Sequence, residues 1–342
     1  MALGYAIRIG RQQVGSDAAR NERLLLSLDV SLGMAGAGGA CDIRLGDPAG
    51  TLASPGDAVS VELDTGGGSR RVFTGTVDRV QLDATGQTVR ACDGLRELAR
   101  LEVDAVYEDV RTDFVVKDLL GRAGLSVGTV ARGFKLSSLR LKREGGALRH
   151  LLQLASWCGA ELYTDGEGKV HFTTPAEAGA KHRFRFTENV LRLDLQAAPP
   201  RWDGLQVYGE GAAASRGADK AHWLAKDLSG VTGKAALDAQ GQVSGGREGK
   251  QSQRWVLGAV RSGEAAGEVA QAHLKALAAR WLRGFLEVFG EPAVMPGDGV
   301  ELSGIPEGHA LAGLLQGPHE LRVRGVRHRL TRQGGLVTRM EF

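Results

Sequence analysis

The feature that most constrains this chain is a phrase that occurs twice. At Pro55 it reads Pro-Gly-Asp-Ala-Val-Ser-Val-Glu-Leu, and at Pro296 it reads Pro-Gly-Asp-Gly-Val-Glu-Leu. Upstream, Gly46-Asp47-Pro48-Ala49 is matched by Gly290-Glu291-Pro292-Ala293. Downstream, Val77, Val80, Leu82, Gly86 and Val89 are matched in order by Val323, Val326, Leu330, Gly334 and Val337, with two extra residues between Val326 and Leu330. Proline presets φ at the first central position of a turn, and glycine accepts the positive φ that follows. The alternation after each turn has the period of a half-buried strand. The ordered set of marks therefore reads as an internal duplication of a β module.

Composition fits many short strands joined by turns. The chain has 342 residues, of which 50 are glycine and only 9 proline, and 42% are hydrophobic. That length holds two or three domains. That hydrophobic content excludes disorder. The net charge of +3 is too small to make nucleic acid or an anionic membrane the main partner. Cys41, Cys92 and Cys158 are far apart and form no C-x-x-C, which points to a reducing compartment without a disulfide or zinc framework. Met1 to Arg20 lacks the apolar core of a signal peptide, and no run of 18 apolar residues exists to span a membrane. Synthesis in the cytoplasm is the expectation.

Three regions follow along the chain. Residues 1–98 read as a first β-barrel module, with strands at Ala6–Ile9, Leu24–Leu32, Asp42–Leu45, Ala58–Leu63, Arg71–Leu82 and Gln87–Cys92. Residues 99–190 read as a small α+β domain. There Thr112 caps a helix that Gly124 stops, a second helix runs from about Ala147 to Cys158, and two strands flank the turn Asp165-Gly166-Glu167-Gly168. Residues 191–342 read as a second β-barrel module. It carries a Gly/Ala/Ser-rich stretch at about 210–250, expected to be an exposed insertion, and a helix at about 263–283 capped by Ser262 and stopped near Gly284. The last strands are expected at about Leu321–Leu330 and Leu336–Phe342, with a β-bulge at Gly325-Val326. The fold class is mainly β with α+β parts: two tube-like β-barrels from an internal duplication, with a small α+β domain between them.

Catalytic patterns are absent. Gly245-Gly246-Arg247-Glu248-Gly249-Lys250 has the wrong glycine spacing and Gln251 where a phosphate loop needs Ser or Thr. Gly66-Gly67-Gly68 lies between strands and reads as a hairpin tip. His150 and Cys158 lie roughly 12 Å apart along one helix, too far for a thiolate–imidazole pair. Neither H-E-x-x-H nor G-x-S-x-G occurs. Asp57 and Asp298 recur in both copies of the phrase, which marks them as turn-capping residues. No cofactor, metal or catalytic residue is assigned. One electrostatic feature remains, the run Arg322, Arg324, Arg327 and Arg329 on the penultimate strand. It reads either as a solvated face whose arginine stems cover apolar surface, or as a basic face turned to a polyanion or an acidic neighbouring chain, lining a lumen or a subunit contact.

Several stretches together resemble the phage late-control D family of tail baseplate hub proteins, which share a fold with the N-terminal part of type VI secretion spike proteins. They are Phe73-Thr74-Gly75-Thr76-Val77 leading to Cys92-Asp93-Gly94-Leu95, Val106-Tyr107-Glu108-Asp109, Ala123-Gly124-Leu125, and Leu151-Leu152-Gln153-Leu154-Ala155 through Lys169-Val170-His171-Phe172. The last is the Ala-rich helix near Ala270 to Arg280, running into Gly290-Glu291-Pro292 and Pro296-Gly297-Asp298. The resemblance covers nearly the whole chain and rests on the order of many weak marks. It implies a structural protein, not an enzyme, that forms a homotrimer. The trimer would join the six-fold tail tube, or a tube-initiator hexamer, to the trimeric central spike protein in the baseplate of a virion or phage-like contractile injection system. Tape measure and other baseplate proteins are further implied neighbours. Because the sequence stops at Phe342 after the second module, a separate spike protein is expected. The alternatives are a tail-associated cell-wall hydrolase and a carbohydrate- or nucleic-acid-binding β module.

Overall fold

The computed structural model of the chain describes residues 3–16, 25–34, 38–46, 53–177, 179–210, 231–315 and 320–342. Leu24, residues 35–37 of the Gly/Ala loop, the upstream mark at 47–49 and residues 211–230 of the expected insertion lie outside them. The protein is mainly β, with curled sheets and a few helices. Its largest sheet has eleven strands. In spatial order they are Val190–Ala197, Leu282–Phe289, Gly335–Glu341, Gly325–Thr331, Leu25–Gly33, Ala40–Leu45, Gly86–Cys92, Arg70–Asp83, Ala58–Asp64, Gly4–Ile9 and Gln12–Gly15.

One pattern of partners runs twice through this order. In the first copy Leu25–Gly33, Ala40–Leu45, Gly86–Cys92, Arg70–Asp83 and Ala58–Asp64 are successive antiparallel neighbours. In the second copy Val190–Ala197, Leu282–Phe289, Gly335–Glu341, the broken strand Leu321–Arg322 with Gly325–Thr331, and Gly299–Ser303 repeat that succession. The copies join where Gly325–Thr331 pairs with Leu25–Gly33, again antiparallel.

The repeated phrase makes the same turn in both copies. Gly56 has φ +93° and Gly297 φ +98°, the left-handed region that glycine enters without steric cost. Asp57 Oδ2 accepts from the Ser54 amide at 2.8 Å, and Asp298 Oδ2 accepts from the Met295 amide at 2.9 Å. The Gly56 amide donates to the Val77 carbonyl, and the Val77 amide donates back to the Asp57 carbonyl. Gly297, Val323 and Asp298 form the same reciprocal pair. The turn therefore clips the start of one strand to the middle of the next.

The duplication is inexact where the sequence marks slip. Val77 both clips the turn and faces Ala91 across the ladder. In the second copy Val323 clips the turn while Val326 faces Met340. The extra residues lie between those two roles, and they break the strand instead of forming the bulge expected at Gly325-Val326. The hairpin is also longer, so Gly335 and Thr338 occupy the ladder positions of Gly86 and Val89, one residue beyond the Gly334 and Val337 of the sequence match. Thr338 is accordingly buried and Val337 is not.

Two further expectations change. The stretch expected as exposed insertion contains strands at Thr232–Leu237 and Val243–Gly245, which join Gly204–Gly209 and Ser252–Leu257 in a four-stranded sheet. On the first of these strands Gly233 is a packing requirement. A Cβ on Gly233 would collide with the backbone of Ala266 and Gly267, because the helix Gly263–Ala278 lies directly on that strand. The helix is capped by Ser262, whose side chain accepts from the Ala265 amide at 3.2 Å, but it ends at Ala278. Trp281 lies beyond it, and Gly284 sits inside the strand Leu282–Phe289. Thr112 opens the helix Thr112–Arg122 without capping it, since its hydroxyl turns to the carbonyls of Arg132 and Phe134. The first and second copies hold separate apolar cores around Val61 and Phe73, and around Leu286 and Met340. A third core joins the helix Gly146–Cys158 to Val207, Val269 and Leu274.

The second copy meets the α+β part at Glu161. This carboxylate is only 8% exposed and accepts from Arg280 at 2.6 Å and from Arg324 at 2.9 Å. Glu161→Ala would leave two half-buried guanidiniums without their carboxylate. The expected loss is about 2 kcal/mol of unfolding free energy by chemical denaturation, below the cost for a fully buried pair because both arginines keep some water. Gly297→Ala should lower the melting temperature more than Gly56→Ala. Both strain the turn, but at Gly297 the new Cβ also meets the Tyr163 hydroxyl at 2.7 Å, whereas at Gly56 nothing lies within 4 Å.

His328 supplies a pH test. It is fully buried beside Thr338, with Nδ1 3.0 Å from the threonine hydroxyl, and burial pushes its imidazole down from 6.5 to about 4. The unfolded chain then binds more protons than the folded one between those values, so stability falls as pH drops from about 6.5 towards 4, by roughly 3 kcal/mol in total. Denaturation midpoints measured across that window should show a slope that His328→Leu reduces.

Candidate assembly surface

The eight strands from Val190–Ala197 to Arg70–Asp83 form a curved surface with one packed and one open face. Alternation decides which side chain goes where. On Leu25–Gly33, Leu28, Val30 and Leu32 point into the core, while Ser27, Asp29 and Ser31 face outward. The open face carries charge pairs laid across neighbouring strands. Arg90 meets Asp42 at 3.2 Å in the first copy, and Arg339 meets Glu287 at 3.2 Å in the equivalent place of the second. The Arg339 guanidinium also lies 3.7 Å from the centre of the Phe285 ring, a cation–π geometry. The face thus carries both signs of charge, several of them paired across neighbouring strands.

The four arginines of the penultimate strand do not share this face. Arg327 clasps Asp29 through two bonds of 2.7 and 2.6 Å, and Arg329 reaches the same carboxylate at 3.4 Å. Both are exposed on the open face, across the junction between the copies. Arg322 and Arg324 point the other way. Arg322 donates to the Thr173 hydroxyl at 3.2 Å, Arg324 pairs with Glu161, and burial pushes both guanidiniums below their ordinary value. The strand break at Val323-Arg324 changes the parity of the alternation, so even-numbered arginines before it and odd-numbered ones after it serve different partners. Charge reversal at Arg322 or Arg324 would therefore strike the internal junction with the α+β part.

Other titratable groups are engaged in local structure. Asp298 accepts from the Ala180 amide at 2.9 Å and lies 2.8 Å from His182 Nε2, besides capping its own turn. A pair not foreseen from the sequence is His171 with Asp165, 3.0 Å apart and stacked under Tyr163. Asp165 also accepts from the Lys169 amide at 2.9 Å, so the pair closes the hairpin turn; its residues are six apart, which gives no motif signal. Cys158 is buried and its thiol is pushed up to about 11, the state of a core residue. His150 Nε2 contacts the Lys142 carbonyl at 2.8 Å. Among the described residues no group of three or more His, Cys, Asp or Glu side chains is placed to hold a metal ion.

The surface ends in two open strand edges. Among the described residues, Val190–Ala197 has Leu282–Phe289 as its one ladder partner. At the other end Arg70–Asp83 pairs along its first half with Ala58–Asp64, but beyond Val77 its only ladder partner among the described residues is Gly86–Cys92. In the second copy the corresponding edge, that of Gly325–Thr331, is covered by Leu25–Gly33. Large apolar side chains are exposed near both free edges: Leu82 is 57% exposed at one, and Leu191 44% and Phe289 62% at the other.

No family model matches this sequence, and no curated protein matches it. Solved structures do match its fold. The 43 kDa tail protein of prophage MuSo2 from Shewanella oneidensis superposes with a TM-score of 0.66 at 14% identity, covering 99% of this chain and 98% of that one. A tail protein from Neisseria meningitidis MC58 gives 0.63 at 13% identity, covering 100% and 96%. An E. coli component of the type VI secretion system, described as structurally similar to the T4 bacteriophage tail proteins gp27 and gp5, gives 0.58 at 11% identity, covering 98% and 75%. The chain therefore has the fold that phage tail proteins share with a type VI secretion component.

Proposed function

We propose that this protein is a structural hub of a tail baseplate, acting as a homotrimer that adapts a six-fold tail tube to a three-fold central spike. The observation that carries the reading is the repeated ladder within one continuous sheet. A chain with two equivalent modules presents two equivalent ends, so three chains offer six such ends on one side while keeping three-fold symmetry elsewhere. Among the described residues the α+β part and the helix Gly263–Ala278 have no repeat, and in a trimer they supply the three-fold character. The fold match to phage tail proteins over nearly the full length supports the same role.

In this reading the open face of the eight strands lines the lumen, with Arg327 and Arg329 on it. Its partners are the tube or tube-initiator hexamer and the spike trimer, and it assembles into a virion or phage-like particle. The engagement of Asp57, Asp298, His171 and Cys158 in turns and cores leaves them in structural roles, consistent with a protein that does no chemistry.

Purified protein imaged by negative-stain microscopy should show rings of three chains with a central hole. Particles made without the gene should lack a joined tube and spike. A monomer that is absent from purified particles would sink the proposal.

A further inference from the structure

We infer that the two free edges of the large sheet pair with each other between successive copies of this chain, in the register of the internal junction, so that Arg79 of one protomer faces Asp194 of the next. The inference rests on the hub reading above and adds the contact by which its ring closes.

The register follows from the duplication. Arg79 and Arg327 hold the same place, because each faces the arginine of the next strand, Arg90 and Arg339. By the same ladders Val80 corresponds to His328, Gln81 to Arg329 and Leu82 to Leu330. On the other edge Asp42 and Glu287 correspond, since they face Arg90 and Arg339. Asp29 faces Asp42 and Arg192 faces Glu287, so Arg192 takes the place of Asp29, Leu193 that of Val30 and Asp194 that of Ser31.

The internal junction sets Arg327 opposite Ser31, His328 opposite Val30 and Arg329 opposite Asp29. Transferred to the free edges, it sets Arg79 opposite Asp194, Val80 opposite Leu193 and Gln81 opposite Arg192. Leu82 then meets Val190, with the bulged Leu191 beside it. The direct pairings of Arg79 with Asp194 and of Val80 with Leu193 are chemically matched, while the Arg327–Asp29 diagonal of the internal junction is replaced by Arg79 beside Arg192. Arg79 and Asp194 are exposed, and neither has an ion-pair partner among the described residues. Val80 and Leu193 are both half-buried and would complete the packed face, while Leu82 and Leu191 would cover each other. Arg192 gains Asp83 as a diagonal neighbour, within reach of long side chains. Charge stays on the open face and apolar groups on the packed face across the whole seam, as at the internal junction. An uncovered edge of this length is otherwise a template for aggregation.

The test uses the full chain. In Arg79→Cys/Asp194→Cys, mild oxidation should yield covalently closed trimers on a non-reducing gel, since directly opposed strand residues lie within disulfide reach. Each single-cysteine variant, which retains Cys92, and the off-register pair Arg79→Cys/Gln196→Cys should not. Arg79→Glu and Asp194→Arg should each weaken the trimer about tenfold in sedimentation velocity. The double charge swap should restore it, with the far-UV circular dichroism unchanged in all three. A trimer that neither cross-links at this pair nor responds to the swap overturns the seam and leaves the hub reading standing. A chain that stays monomeric at every concentration overturns both.

Discussion

Everything in the large sheet depends on one antiparallel pairing, that of Gly325–Thr331 with Leu25–Gly33. It joins segments about three hundred residues apart, and the bidentate grip of Arg327 on Asp29 spans a separation of 298. Without it the two copies of the module would be separate sheets with four edges between them. With it they form one curved surface whose ends are the edges of a single repeat. Closing so long a loop costs configurational entropy, but that cost grows only logarithmically with length. The apolar alternation of Leu28, Val30 and Leu32 against Val326, His328 and Leu330 on one face, and the charge pairs on the other, offset it.

The second constraint is the junction at Glu161. The same few extra residues that break the penultimate strand place Arg324 where it can reach the α+β part. A departure from the duplication is thus what fixes the nonrepeating part to the repeating one. The carboxylate shared by Arg280 and Arg324 is one of several ties between the repeated surface and the unique body, beside Arg322 on Thr173 and Thr74 on Gly166.

The open face also has a physical character of its own. Arg90 with Asp42 and Arg339 with Glu287 hold the same cross-strand pair in both copies, so the charge pattern is duplicated along with the backbone. Compensated pairs of this kind leave little net field above the surface, in contrast to the basic stripe that a nucleic-acid-binding face requires. That weighs against the nucleic-acid-binding alternative, whose support was the arginine run.

The sequence by itself determined the turns. Proline, glycine and aspartate at Pro55 and Pro296 specify the same local geometry whatever surrounds them, because φ preference and side-chain capping act within a few residues. It also determined the alternation of Leu28, Val30 and Leu32 and the helix Gly146–Cys158, through periodicity. Partnership was decided by the tertiary structure. The run Arg322 to Arg329 looks like one basic strand in sequence, yet a break at Val323-Arg324 sends its members to opposite sides. Gly233 looks like a loop residue until the helix above it shows that nothing larger fits. Both depend on which segment lies across the ladder or above the sheet. That is a property of distant contacts, which local residue preferences do not encode.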